Sequence, residues 1–151
     1  MKDALRILMV EDCEDDAELV RMELMRGGLR PDIQRVQTAE ELESCLDEAD
    51  WDVVLSDYSL PTFSGPAAVE VVRKADPFLP IIIVSGAIGE QTAVQVMKAG
   101  ACDYVPKHNM ARLTAAVERE LREAESKRRR HSVEEELKIE QWLMKALMES
   151  Q

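Results

Sequence analysis

The chain has 151 residues, a net charge of -11, 46% hydrophobic and 4% aromatic residues. That length and apolar share fit one folded domain plus an appendage, its core built from Leu, Ile, Val, Met and Ala, and exclude a disordered chain. The acidic balance argues against nucleic acid as a partner of the main body, and no apolar run approaches the roughly 20 residues that a membrane span needs.

Met1-Lys2-Asp3 runs straight into a strand-like segment, so no signal peptide is expected. Leu5–Val10 reads as the first strand and is followed by the acidic pair Glu11-Asp12. Asp15 to Arg26 reads as a helix with an apolar stripe of Ala17, Leu19, Val20, Met22, Leu24 and Met25, ended by Gly27-Gly28. Asp32–Gln37 is a short strand in which Ile33 and Val36 are the apolar positions. Thr38 and Glu41 predict a capping box for a helix running to about Ala49. Val53–Ser56 is the third strand, and Asp57 follows it directly. A carboxylate at the end of a buried strand is costly unless it is paired, metal-bound or reactive.

Gly65-Pro66 opens the next helix, which ends near Lys74. Pro80 to Val84 is wholly apolar, as buried parallel strands are. A helix over Glu90 to Lys98 stops at Gly100, and Asp103 to Val105 is a last short strand. The final helix is predicted from near Asn109 to about Glu149, because that stretch holds no Gly and no Pro. About 40 residues at 1.5 Å each make a rod of ~60 Å, which should project from a small globule. Regular strand–helix alternation predicts an α/β fold, with a parallel sheet covered on both faces.

The charge is unevenly divided. Residues 126–151 hold six basic and five acidic groups, net +1, which leaves -12 for the rest. A boundary near residue 125 is therefore expected, with a globule over 1–124 and a helical tail over 125–151. In that tail Lys127 to Arg130 reads as a solvated helix face. Val133, Leu137, Met144 and Leu147 form one coiled-coil seam, interrupted by Glu140, and Ile139, Leu143 and Ala146 form a competing one. The three cysteines Cys13, Cys45 and Cys102 fit neither a zinc pattern nor a disulfide framework. They are expected to be small apolar fillers in a reducing, cytoplasmic protein.

In a doubly wound sheet, ligands sit beyond the carboxyl ends of the strands. The groups there are Glu11 and Asp12, Asp57, Ser85 and Lys107. Three carboxylates in one crevice raise one another's pKa, and a divalent cation resolves the conflict. Carboxylate oxygens suit Mg²⁺. A carboxylate can also be a nucleophile that forms an aspartyl-phosphate, with Ser85 donating a hydrogen bond to the phosphoryl group and Lys107 supplying positive charge.

Four stretches together resemble the receiver domain of bacterial two-component response regulators. They are Ile7 to Asp12, Val54 to Pro61, Ile83 to Gly86 and Ala99 to Lys107, and the resemblance covers roughly residues 4–122. It implies a doubly wound five-stranded sheet in the order 2-1-3-4-5 with five helices, the last one extended. It implies that Asp57 is the phosphoacceptor for a histidine kinase or phosphotransfer protein. Glu11, Asp12 and Asp57, with the Ser59 backbone carbonyl, would hold Mg²⁺, Asp12 being the more direct ligand of the acidic pair. Ser85 would be the switch hydroxyl, Tyr104 the switch aromatic, and Lys107 the partner of the phosphoryl group.

The chain departs from the family in two places. Pro106 precedes Lys107 instead of a proline following it, and Cys13 stands where Asp or Asn is common, as a neighbour rather than a ligand. On this reading the protein is not an enzyme beyond its own phosphorylation and dephosphorylation. The tail would dimerise the chain or link it to a following sensor, kinase or cyclase domain in a longer protein. Two alternatives use the same residues: a dimeric adaptor with a vestigial pocket, and an aspartate-nucleophile phosphatase. The phosphatase fits less well, since those enzymes place the nucleophile after the first strand with a second Asp two residues on.

Overall fold

The structure is a computed structural model and describes residues 4–86 and 90–150. Met1 to Asp3, where no signal peptide is expected, lie outside the described residues. The elements are β1 (Leu5–Val10), α1 (Glu14–Arg26), β2 (Pro31–Val36), α2 (Ala39–Glu48), β3 (Val53–Ser56), α3 (Gly65–Ala75), β4 (Ile81–Ser85), α4 (Glu90–Ala99), β5 (Asp103–Pro106), a 3₁₀ helix (Lys107–Arg112) and α5 (Leu113–Glu149). The strands form one parallel sheet in the order β2-β1-β3-β4-β5, the expected doubly wound arrangement.

The apolar runs form central strands because both faces of the sheet are covered. From β1, Leu5, Ile7 and Met9 pack with Val20 and Leu24 of α1 and with Leu113 and Val117 of α5. The alternate residues Leu8 and Val10 pack with Leu42 of α2 and with Val69 and Val72 of α3. Ile81, Ile82 and Ile83 have no exposed surface, and successive residues feed opposite layers. Each such side chain contributes about 1.5–3 kcal/mol relative to exposure.

Several local expectations need correction. In α1 only Val20 and Leu24 are buried, while Leu19, Met22 and Met25 are more than half exposed, at 60%, 56% and 52%. An α-helix offers the sheet a single stripe, and Ala17, Val20 and Leu24 occupy it. The α2 cap forms on one side as predicted, with Thr38 Oγ1 accepting from the Glu41 N–H at 3.2 Å. The reciprocal bond is displaced by one residue: Glu41 Oε1 accepts from the Gln37 N–H at 3.1 Å. Cys13 is exposed, so it is not a core filler; Cys45 packs against the core as expected.

The final helix does not start at Asn109. That residue has φ -136° and ψ 54° inside the 3₁₀ segment, and regular α-helix begins at Leu113. Absence of Gly and Pro permits a helix but does not start one, and no side chain caps either segment. The buried positions of α5 end at Ala124. Two contacts follow as the helix leaves the globule: Arg128 pairs with Asp76 at 2.6 Å, and the His131 ring lies 5.2 Å from that of Phe78. At about 1.5 Å per residue, the 37 residues of α5 extend roughly 55 Å.

Candidate functional site

The site lies where β1, β3 and β5 end. Sheet hydrogen bonding continues past the strands: the Glu11 N–H donates to Val36 O at 3.0 Å and the Asp57 N–H to Val10 O at 2.9 Å. The backbones carrying both carboxylates are thus held by the same ladder that builds the core. The loop after Asp57 folds back on the start of α3. Ser59 bridges Ser64, and the Gly65 N–H donates to Tyr58 O at 2.7 Å. A Cβ on Gly65 would lie 3.1 Å from Tyr58 Cα and 3.3 Å from Asp57 O, so a larger residue there would press on the backbone that carries Asp57.

Glu11 is 1% exposed, and its Oε1 accepts from the Cys13 N–H at 3.2 Å. Asp57 Oδ1 accepts from the Tyr58 N–H at 2.7 Å, and Ser56 Oγ donates to Asp57 O at 2.9 Å. Lys107, leaving β5, brings its ammonium into the cluster. Nζ lies 2.7 Å from Asp16 Oδ2, 3.4 Å from Asp57 Oδ2 and 3.6 Å from Glu11 Oε2. With Pro106 before it, the lysine still reaches Asp57.

Burial, and then the charge of Asp57, push the Glu11 carboxyl up to about 7 against the pull of Lys107 and the Cys13 N–H. Burial works against the Lys107 ammonium. Its hydrogen bond to Asp16 and the charges of Glu11 and Asp57 outweigh that effect and raise its pKa, so the lysine stays charged.

The donor set fits a hard divalent cation. Glu11, Asp12 and Asp57 offer carboxylate oxygens that all lie within 4.8 Å of one another. All-oxygen donors suit Mg²⁺, and a cation there would offset the charge that lifts Glu11. Potential ligand atoms of Glu11, Cys13 and Asp16 also lie within 4.8 Å of one another, but Asp16 is already committed to Lys107.

The structure thus brings Glu11, Asp12, Asp57 and Lys107 together. Ser85, at the end of β4, and Tyr104, within β5, stand outside the ion-paired cluster. Ser85 is buried and lies opposite Pro106 in the sheet register. Tyr104 is half-buried against the core, and its hydroxyl faces Gly86 O at 3.5 Å, a weak contact.

Sequence reasoning misses two participants. Asp16 reads as no more than a helix residue, although it stands in the first turn of the helix that opens beside the acidic pair. Arg35 of β2 donates to Glu11 O at 3.1 Å and so braces the β1–α1 loop. An edge-strand arginine gives no local signal of that role.

The response regulator receiver domain family matches residues 7–118. The chain is 29% identical over 102 residues to the response regulator protein PilR of Pseudomonas aeruginosa, covering 68% of this chain and 22% of that protein. It is 30% identical over 127 residues to the cell cycle transcriptional regulator CtrA of Caulobacter vibrioides, covering 81% of this chain and 54% of that one. The chain therefore spans about a fifth to about half of the length of these two relatives. Its fold is shared with the receiver domain of the sensor histidine kinase PA1611 from Pseudomonas aeruginosa, solved with a magnesium ion coordinated in the active-site cleft. The TM-score is 0.67 at 22% identity, over 78% of this chain and 98% of that one.

Proposed function

The chain belongs to the response regulator receiver domain family, and on that premise we propose that Asp57 accepts a phosphoryl group from a histidine kinase or a phosphotransfer protein. The observation that carries this reading is the Lys107 ammonium 3.4 Å from Asp57 Oδ2, beside two further carboxylates. A vestigial pocket has no use for a buried Glu11 and a lysine held among three acidic side chains. An Asp57 oxygen attacks phosphorus, the P–N bond of phosphohistidine breaks, and the histidine nitrogen leaves with the electron pair. Glu11, Asp12, Asp57 and the Ser59 carbonyl would hold Mg²⁺, which when bound supplies positive charge to the transferring group. Lys107 pairs with the phosphoryl oxygens. The new charge then draws on Ser85, and Tyr104 carries the change to the β5 face. No turnover of an external substrate is expected.

The test is treatment with acetyl phosphate and Mg²⁺, read by intact mass. One added phosphoryl group, lost in Asp57→Asn, is expected. Labelling that survives Asp57→Asn, or none in the wild type, overturns the reading.

The tail supports a second proposal. Val133, Leu137, Met144 and Leu147 are all exposed on one side of α5, and a second copy of the chain, paired along that seam, would cover them. Light scattering should give a dimer mass for the full chain and a monomer mass for Leu137→Lys/Met144→Lys. A monomeric wild type overturns the seam. A cytoplasmic location, with a sensor, kinase or cyclase domain after the helix, completes the proposal. Among the described residues no helix is long and apolar enough to cross a membrane.

A further inference from the structure

Lys107 makes its closest contact with a residue outside the acceptor and metal-binding set. Asp16 Oδ2 lies 2.7 Å from its ammonium, against 3.4 Å for Asp57 and 3.6 Å for Glu11. Charge-assisted N–H···O bonds fall near about 2.7–2.9 Å, so only the Asp16 contact is at full strength. The dipole of α1 favours acids in its first turn, and Glu14, Asp15 and Asp16 all stand there. The dipole explains an acid at that position. It does not explain why one of the three is bonded to a lysine 91 residues away in sequence.

We propose that Asp16 is a positioning residue that draws the Lys107 ammonium off Asp57 and so restrains phosphoryl transfer; this rests on Asp57 being the acceptor. An ammonium has three donors, and three carboxylates face this one. A phosphoryl oxygen arriving at Asp57 competes for a donor, and the ammonium must shift away from Asp16 to meet it. The same shift loosens the bond that ties the first turn of α1 to the segment after β5. Asp16 thereby couples the charge state of the pocket to α1.

The experiment is a double-mutant cycle on the full chain. Labelling by acetyl phosphate at saturating Mg²⁺ is timed in wild type, Asp16→Asn, Lys107→Ala and the double variant. Asp16→Asn should label about fivefold faster while Lys107 is present, the factor expected for losing one partly exposed ion pair, and should change little in the Lys107→Ala background. Asp16→Glu keeps the carboxylate and should stay near the wild-type rate. Equal acceleration in both backgrounds would mean simple relief of repulsion and overturns the positioning role, as would slower labelling of Asp16→Asn. A wild type that labels without coupling overturns this inference alone. A wild type that takes no label overturns the acceptor reading and this inference with it.

Discussion

Labelling of Asp57 by acetyl phosphate is expected to slow about a hundredfold in Lys107→Ala, the loss typical of removing one preorganised charge or donor from a transfer site. Lys107 is the cation that faces Glu11, Asp16 and Asp57 together. Its side chain is 25% exposed, so much of its field acts in low dielectric, where a charge counts for more than in water. Without it, the transferring group meets carboxylates opposed by the metal alone. Lys107→Arg keeps the charge but replaces a compact ammonium by a planar fork, so partial activity should remain. The readout is the single-turnover rate by intact mass at saturating Mg²⁺. A Lys107→Ala rate close to that of the wild type would remove the lysine from the reaction.

The second large effect concerns Glu11 and pH. Its carboxyl is raised to about 7 from an ordinary 4.5, by burial first and by Asp57 second. A raised acid means that the folded state binds the proton more tightly than the unfolded state. The stabilisation is complete below the unfolded value and is lost as pH rises through the folded one. Metal-free protein should therefore lose about 3 kcal/mol of stability between roughly pH 4.5 and pH 8, at about 1.4 kcal/mol per pKa unit. Glu11→Gln cannot ionise and should show no such loss, so the wild-type-minus-variant difference isolates this group. Mg²⁺ favours the carboxylate and should flatten the wild-type curve. Urea melts of both proteins across that range, with and without Mg²⁺, provide the measurement. Parallel wild-type and variant curves in metal-free buffer would mean that Glu11 is not held protonated. Lys107 pulls the Glu11 carboxyl downward, so Lys107→Ala should move the loss to higher pH.

Much of the fold and of the site is legible in the order of residues. The inner strands β1, β3 and β4 announce themselves as apolar runs, that of β1 broken only by Arg6, and such runs have few places other than a two-sided parallel sheet, whereas β2 at the sheet edge shows only Ile33 and Val36. The acidic pair, Asp57 and Lys107 follow those runs directly, so naming the strands also names the ends where ligands bind. Helix faces are less legible. The first helix has six apolar residues within nine positions, and composition alone does not say that Val20 and Leu24 face the sheet while Leu19 and Met22 face solvent. The start of α5 is hidden for a different reason. It falls at Leu113, which is fully buried, and the absence of Gly and Pro does not reveal that position.

Hydrophobic periodicity is a local property of the chain. The order of elements, the layer architecture and the four residues that meet at the strand ends are therefore written along it. The choice of which acid holds the lysine is made only in three dimensions. Asp16 and Lys107 are 91 residues apart. They meet because α1 and the segment after β5 pack on the same side of one sheet, and a contact of that kind depends on where two elements cross, not on either stretch of residues.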